Sequence, residues 1–420
     1  MTQQLLRLLR RRATGAVLGQ GTQALAGLVL QVAAARSLGA GGLATFALAY
    51  GVLVLATAIC SGLVGDSLTV LDRAAPRVRA GLHVWTVLVS AGAAAAGVAA
   101  ALVTDLIPVW AGLLLGLASA AFIVEDTLRR LLMAAGRFWS LPAVDASSLV
   151  LALATLAVAG TAGDLSLSSF VVALLVGQSG AALVAWWRLP AAERPRGPWQ
   201  HPALREVASF GVWRAAAQTI RPTSLTLLRV VVVAAVGAAA YGPLEAARVY
   251  TAPTLTLVAG IGSYLLPHFV SLRHRPAAHS LRVADRAAFG LAAGVALVGA
   301  VSIALLPWLG PVLTGGGYTV PPLAVAGWAA YAVAGAVLLP YAGLASVHGG
   351  QRRVLALRGL EFSALVVVLA VVVGVDGGTA WAPLALALGP ALAAVAVRQS
   401  VVRPIVRRET TRPELVAVGP

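Results

Sequence analysis

The distribution of arginine along the chain constrains the fold more than any other feature of the sequence. The chain has 420 residues, and 26 of its 31 arginines lie in alternate gaps between twelve long apolar stretches. The stretches are residues 15–35, 42–64, 83–104, 107–124, 142–161, 167–187, 208–238, 243–270, 287–308, 321–347, 356–375 and 379–397. Each stretch is long enough to cross a hydrocarbon layer about 30 Å thick, because a helix rises about 1.5 Å per residue.

The same alternation predicts the orientation of the chain. The basic gaps include the residues before the first stretch, such as Arg10, and those after the twelfth, such as Arg403. The intervening gaps carry mainly acids, for example Asp164 and Asp376. Loops rich in arginine remain in the cytoplasm. We therefore expect a membrane protein that spans the bilayer twelve times, with both termini in the cytoplasm.

The composition and motifs exclude several classes of protein. Hydrophobic residues make up 59% of the chain and charged residues 11%, whereas a soluble domain carries about 25% charge. The net charge of +16 would indicate nucleic-acid binding in a soluble domain, but here it is explained by topology, so we expect membrane lipids and no nucleic acid as partners. The sequence has no metal-ligand spacing, nucleophile elbow or phosphate-binding loop. We expect neither an enzyme nor a cofactor.

The gap at residues 188–206, rich in proline and arginine, divides the twelve stretches into two groups of six. We expect an N-terminal six-helix lobe at 1–197 and a C-terminal six-helix lobe at 198–420, arranged around a central cavity as in many transporters. Gly39 and Gly237 follow the first stretch of each group, 198 residues apart. Glycine ends helices because it tolerates a left-handed conformation. We expect these two glycines to end helices and to act as hinge or gate positions.

Four polar residues interrupt the seventh apolar stretch. Arg214, Gln218, Arg221 and Arg229 fall on one stripe about 80° wide when residues are placed at 100° intervals around a helix. An arginine at the middle of a bilayer costs about 3 kcal/mol even on permissive scales. Pro222 follows Arg221 directly and should kink the helix, which makes it a further hinge candidate.

Two interpretations of the stripe compete. In the first, the arginines line a cavity for an anionic substrate, because the planar guanidinium fork suits phosphate. In the second, they pair with buried carboxylates, for which Glu245 and Glu361 are candidates. The sequence favours the first interpretation, since the stripe has more arginines than nearby acids.

Other polar residues within the stretches are weaker candidates. Gln20, Gln23 and Gln31 in the first stretch can line the cavity or hydrogen-bond to neighbouring helices. The candidates for coupling an ion are the acids at stretch ends, namely Asp66, Asp145 and Glu361. Glu361 also lies three residues after Arg358, a spacing that allows a local ion pair.

Short motifs along the chain resemble one family of transporters. They are Gly19-Gln20-Gly21, Ala35-Arg36-Ser37-Leu38-Gly39, Phe46-Ala47-Leu48-Ala49, Leu128-Arg129-Arg130, Met133-Ala134-Ala135-Gly136-Arg137-Phe138, Arg229, and Tyr241-Gly242 with Ala246-Ala247. This pattern resembles O-antigen-type (Wzx-type) polysaccharide flippases of the multidrug/oligosaccharidyl-lipid/polysaccharide exporter superfamily. The chain departs from the family at Ala44, where glycine is frequent, and at Leu228, where an acid often precedes the arginine.

The resemblance implies a two-lobed fold of twelve helices and movement of a lipid-linked oligosaccharide or cell-wall precursor between leaflets. A polyprenyl-diphosphate carrier would place its pyrophosphate against the arginines, with Arg36 among the substrate-binding candidates. Polysaccharide polymerases and glycosyltransferases are the expected partners. Two alternatives remain open: a drug/cation antiporter of the same superfamily, and a major-facilitator transporter. The second is indicated by Asp72-Arg73-x-x-x-Arg77, although Leu68 stands where that loop motif has glycine.

Overall fold

The computed structural model describes residues 2–104, 108–195, 199–272, 275–348 and 351–411. Every regular element in these ranges is a helix. Each of the twelve predicted apolar stretches corresponds to a long helical segment, and we number the main helices α1 to α12 accordingly. Most helices are longer than the apolar stretches, because they continue into the polar gaps.

The helices of the first half are α1 (Thr2–Ser37), α2 (Gly39–Cys60), α3 (Pro76–Thr104), α4 (Val109–Ala134), α5 (Leu141–Ala162) and α6 (Leu167–Arg188). Those of the second half are α7 (Leu204–Val236), α8 (Ala238–Ser271), α9 (Ala277–Thr314), α10 (Pro322–Val347), α11 (Ala364–Gly374) and α12 (Ala382–Val397). Short helical segments extend α2, α11 and α12: Ser61–Gly65 and Asp66–Val70 follow α2, Gln351–Arg358 and Gly359–Ser363 precede α11, and Arg398–Val402 and Arg403–Thr411 follow α12.

The predicted all-helical membrane fold is confirmed. Ten helical segments of the described chain are long and apolar enough to cross a membrane. The other two long helices, α1 and α8, have 36 and 34 residues and cover the first and eighth predicted stretches. At about 1.5 Å per residue, each of these two is about 50 Å long, more than a membrane crossing requires.

The chain forms two compact units, residues 1–226 and 227–420, so the division lies inside α7. The predicted boundary between residues 197 and 198 lies outside the described residues and stays a prediction. The division comes later because the first part of α7 packs against the end of α2. A Cβ atom added to Gly62 would meet the backbone of Ala215, and one added to Gly211 would meet the backbone of Leu63.

Glycines have two backbone roles in the fold. Gly97 of α3 and Gly116 of α4 leave no room for a Cβ, because each lies against the backbone of the other helix. Gly39 and Gly237 have φ of +66° and +88°, so the predicted left-handed helix ends are confirmed. The gate function proposed for these two positions stays a prediction.

Each unit has its own apolar core. In the N-terminal unit the core includes Ile123, Leu132 and Leu141, which are fully buried. In the C-terminal unit it includes Phe269 and Ala336. Apolar residues are also abundant on the outer surfaces, as expected for helices that face lipid.

Candidate functional site

Asp66 connects three helical elements of the N-terminal unit. Its carboxylate accepts a hydrogen bond of 3.1 Å from Nε2 of Gln218 in α7, and Nε of Arg214 lies 3.7 Å from it. From the other side, Nη1 of Arg130 in α4 lies 3.8 Å away. One carboxylate thus faces two guanidinium groups, and Asp66, Gln218, Arg214 and Arg130 form what we call the N-terminal charged cluster. The cluster unites one predicted coupling residue with two predicted substrate residues.

Asp126 extends this cluster along α4. Its Oδ2 accepts hydrogen bonds from Nε of Arg130 at 2.8 Å and from Oγ of Ser61 at 2.7 Å. Gly65 permits the arrangement, because the Arg130 side chain occupies the space that a Cβ would fill. Ser61 and Gly65 belong to the π-helical turn after α2, so this turn brings α2 and α4 together at the cluster.

Asp145, the second predicted coupling residue, takes part in a separate buried ion pair. Its carboxylate lies 3.2 Å from Nε of Arg129, and both side chains are nearly fully buried. Thr22 in α1 donates a hydrogen bond of 3.1 Å to Asp145, and Arg129 donates one of 3.3 Å to the carbonyl of Gly19. The pair therefore joins α1, α4 and α5. Arg129, which belongs to one of the motifs that resemble the flippases, thus connects these helices through a buried ion pair and a hydrogen bond.

Glu125 is a buried acid that the sequence analysis did not identify as a candidate site residue. It has 5% of its surface exposed, and it lies next to Asp126 in the chain and four residues before Arg129. The apolar stretch ends at residue 124, which placed Glu125 and Asp126 in a loop, but α4 continues to Ala134. The signal was present in the spacing of Glu125-Asp126 and Arg129-Arg130, since residues four apart share a helix face.

The polar stripe on α7 separates into two parts. Arg214 has 40% of its side chain exposed, and Arg221 is partly buried on the same face seven residues later. Arg229 is different: it is 5% exposed and forms an ion pair of 3.2 Å with Glu245. For Arg229, the structure therefore agrees with the second interpretation, pairing with a buried carboxylate, which the sequence favoured less.

Glu245 is the centre of a second cluster, which lies in the C-terminal unit. Besides Arg229, it accepts hydrogen bonds from Arg248 at 2.7 Å and from the hydroxyl of Tyr241 at 2.8 Å. We call Arg229, Tyr241, Glu245 and Arg248 the C-terminal charged cluster. Arg229 and Glu245 each lie eight residues from Gly237 (237 − 229 = 245 − 237). A hairpin at Gly237 places the two residues at the same depth, which is the signal that could have predicted the pair.

The remaining predicted residues are distributed along several helices. Gln23 and Gln31 of α1 are partly buried and Arg36 is exposed, whereas the side chain of Gln20 lies outside the described residues. Glu361 is buried and accepts a hydrogen bond of 2.7 Å from Arg358, so the predicted local ion pair is confirmed. Helix α7 continues unbroken through Pro222. The hinge function of Pro222 stays a prediction.

The loop residues that resemble a major-facilitator motif have a local structural role. Arg73 donates two hydrogen bonds of 3.1 Å to Glu193, and this interaction raises the pKa of Arg73 above its ordinary value. Arg77 donates a hydrogen bond of 3.4 Å to the carbonyl of His201. Arg73, in the loop before α3, and Arg77, in the first turn of α3, thus both contact the long connection between α6 and α7. Within the described ranges, no group of three or more His, Cys, Asp or Glu residues is placed to hold a metal ion.

Comparison with known proteins identifies the fold. No protein-family model matches the chain, and no curated protein matches it. Among solved structures, it is similar to an inward-facing multidrug resistance MATE family transporter of the MOP superfamily, with a TM-score of 0.70 and 14% identity over 93% of this chain and 96% of that one. It is also similar to the eukaryotic MATE transporter AtDTX14, with a TM-score of 0.64 and 12% identity over 96% and 99% of the two chains.

An outward-facing MATE family structure is similar as well, with a TM-score of 0.64 and 14% identity over 96% of both chains. The chain therefore has the MATE fold over nearly its whole length. This result agrees with the fold that the sequence motifs implied. It does not agree with the major-facilitator alternative, for which the arginine-containing loop motif was the evidence.

Proposed function

We propose that the protein is an alternating-access transporter that moves a lipid-linked, anionic oligosaccharide or cell-wall polysaccharide precursor across the cytoplasmic membrane of a bacterium. The carrier would be of the polyprenyl-diphosphate type. The MATE fold supports transport, because the solved proteins of this fold are described as transporters. The choice of substrate rests on the residues of this chain and on its resemblance to polysaccharide flippases.

The observation that carries the proposal is the accessible cationic face of α7. Arg214 and Arg221 lie on one side of the helix, two turns and about 10 Å apart along its axis. Arg214 keeps 40% of its side chain exposed, and the one carboxylate beside it, Asp66, is shared with Arg130. Asp126 accepts a hydrogen bond of 2.8 Å from Arg130, so the two carboxylates balance Arg214 and Arg130, and Arg221 adds a further guanidinium group to this face of α7.

A positive face within a membrane helix suits a diphosphate. Guanidinium groups bind phosphate oxygens through two parallel, charge-assisted hydrogen bonds. Charged residues at membrane depth are costly, so an accessible one indicates a functional role. In the proposed mechanism Arg214 and Arg221 hold the diphosphate of the substrate, the sugars occupy a hydrated space, and the lipid tail remains among the helices or in the bilayer.

The proposal also predicts orientation and partners. Both termini would lie in the cytoplasm, because the basic gaps precede the first helix and follow the last. Glycosyltransferases would supply the lipid-linked substrate on that side. A polysaccharide polymerase or transferase would consume it on the other.

The test is a flipping assay in proteoliposomes with a fluorescent polyprenyl-diphosphate sugar as the probe. We expect Arg221→Ala to abolish flipping while the protein remains inserted and folded. Arg221→Lys should retain part of the activity, because lysine keeps the positive charge but cannot donate two parallel hydrogen bonds to a phosphate. Arg353→Ala is the matched control, since Arg353 is exposed outside the proposed site. Flipping at the wild-type rate by Arg221→Ala would refute the proposed role of the stripe.

A drug/cation antiporter is the second candidate, and one observation favours it. The N-terminal unit buries the carboxylates Glu125, Asp126 and Asp145, and buried carboxylates suit cationic substrates or coupling ions. This candidate predicts that the protein expels a cationic dye and that Glu125→Gln stops the export. The polysaccharide proposal predicts no dye export by the wild-type protein.

A further inference from the structure

A long apolar groove runs along the C-terminal unit, apart from both charged clusters. It has a volume of about 1300 Å³ and is lined by 24 residues of α9, α10, α11 and α12 and of the segments next to α11 and α12. Sites for drug-sized ligands usually have about 300–1,000 Å³, so the groove is large. Only Tyr341, Arg398, Gln399 and Trp381 among its lining residues carry a polar side-chain group.

The groove exists because small residues line it. Ten of the 24 lining residues are alanines and one is Gly299. Ala330 and Ala334 of α10 and Ala391 of α12 are among them, and Ala300 of α9 is an exposed member. Alanines at these positions leave a channel where leucines would fill it. Such a channel is open to lipid chains, because its walls belong to helices that cross the membrane.

The length of the groove is informative about its occupant. On α10 it extends from Ala326 to Tyr341, and along α12 and the segment that follows it from Leu384 to Gln399. Fifteen helical residues correspond to about 22 Å. One leaflet is about 15 Å deep, half of a hydrocarbon core of about 30 Å. The groove is therefore longer than one leaflet is deep, so an acyl chain confined to one leaflet does not fill it, whereas a polyprenyl chain is long enough.

One end of the groove is basic. Arg398 donates hydrogen bonds of 3.0 Å to both carboxylate oxygens of Asp285, so these two charges compensate each other. Arg403 is exposed one turn beyond the groove, and Arg282 and Arg286 of α9 are exposed on either side of Asp285. Among the described side chains at this end, four arginines share one carboxylate, and the resulting positive charge complements an anionic headgroup. The arginine pattern predicts that this end faces the cytoplasm.

We propose that the groove binds the isoprenoid tail of a polyprenyl phosphate or diphosphate lipid, with the phosphate held by Arg403 at the basic end. The choice of this lipid rests on the proposed function, which requires a polyprenyl carrier. Length and charge complementarity support it independently of that function. The groove gives the tail a defined path while the sugar-bearing end of the substrate is moved.

The experiment uses the full-length protein in detergent micelles and a long-chain polyprenyl monophosphate that carries a photoreactive group on its tail and no sugar. We expect the label on α10 and α12. Ala300→Leu/Ala391→Leu should lower binding at least about tenfold, which corresponds to about 1.4 kcal/mol. Ala293→Leu is the matched control, because Ala293 is exposed on α9 but does not line the groove. The control should bind the probe as the wild type does.

A second variant tests whether Arg403 binds the phosphate of the lipid, and it leaves the residues that line the groove unchanged. Arg403→Gln alters an exposed residue, so it should fold normally, and it should lose the preference for polyprenyl phosphate over uncharged polyprenol. Equal labelling of wild type and groove-filled variant would overturn the proposal. So would displacement of the probe by phosphatidylglycerol at equal concentration, which would identify an ordinary phospholipid as the occupant. Binding of the probe without flipping of the sugar-linked lipid would leave the groove proposal intact and reject the proposed function.

Discussion

Removal of the Glu245 carboxylate should destabilise the protein strongly. Glu245 is 2% exposed and accepts hydrogen bonds from Arg229, Arg248 and Tyr241. Glu245→Ala would leave two guanidinium groups without their shared partner, and loss of one member of a buried ion pair costs about 3–5 kcal/mol. At about 1.4 kcal/mol per factor of ten, the folded-to-unfolded ratio should fall roughly a hundredfold to several thousandfold.

The assay is unfolding in detergent, followed by tryptophan fluorescence and by recovery of monodisperse protein. Glu206→Ala is the matched control, because Glu206 is exposed and such substitutions change stability by less than about 0.5 kcal/mol. Replacement of Arg229, Glu245 and Arg248 together by Met should recover most of the stability, since buried charge clusters can be replaced by apolar residues of similar size. Unchanged stability of Glu245→Ala would refute this account of the cluster.

The triple variant also separates two functions of Arg229. If the variant folds and still flips the substrate, Arg229 is a structural residue, as its burial indicates. If it folds but does not transport, Arg229 or Arg248 contacts the substrate, as the sequence analysis predicted for Arg229. Measurement of transport by the triple variant therefore tests the function of Arg229 as well as the stability of the protein.

Three further results are expected. Gly62→Ala should destabilise the protein by about 1–3 kcal/mol in the same unfolding assay, because the new Cβ meets the backbone of α7. Gly92→Ala is the control and should not destabilise the protein, because its Cβ would lie in open space. Equal effects of the two substitutions would argue against the contact between Gly62 and α7. Pro222→Ala should slow transport per inserted molecule if Pro222 is a hinge, and an unchanged rate would remove it from the mechanism. In a Cys60→Ser background, a cysteine introduced by Asp164→Cys should react with an impermeant thiol reagent from outside the cell, and protection would contradict the predicted topology.

Much of the fold could be predicted from the sequence, because membrane helices are specified locally. Continuous apolar stretches predicted every long helix, and Gly39 and Gly237 predicted two helix ends, since each of these signals depends on neighbouring residues. The Arg358–Glu361 pair could be predicted for the same reason. Elsewhere most of the predicted helices were too short. The apolar stretches stop where polar residues begin, but the helices continue through those residues, as α4 does to Ala134.

The candidate site was less predictable, because its contacts join distant parts of the chain. Asp66 and Gln218 are partners across 152 residues, and nothing in either local sequence identifies the other. The contact depends on how closely α2 and α7 pack, which Gly62 and Gly211 determine. The Arg229–Glu245 pair could have been predicted, because the two residues lie eight positions before and eight positions after Gly237, where the chain turns. Glu125 was missed because the end of an apolar stretch was taken as the end of a helix.

The most direct test of the proposed function compares two substrates in the same proteoliposomes. One is a fluorescent polyprenyl-diphosphate sugar, and the other is a cationic dye. The account predicts that the wild-type protein moves the lipid-linked sugar between leaflets, that Arg221→Ala does not, and that neither protein exports the dye. Dye export by the wild type, without movement of the lipid-linked sugar, would contradict the account.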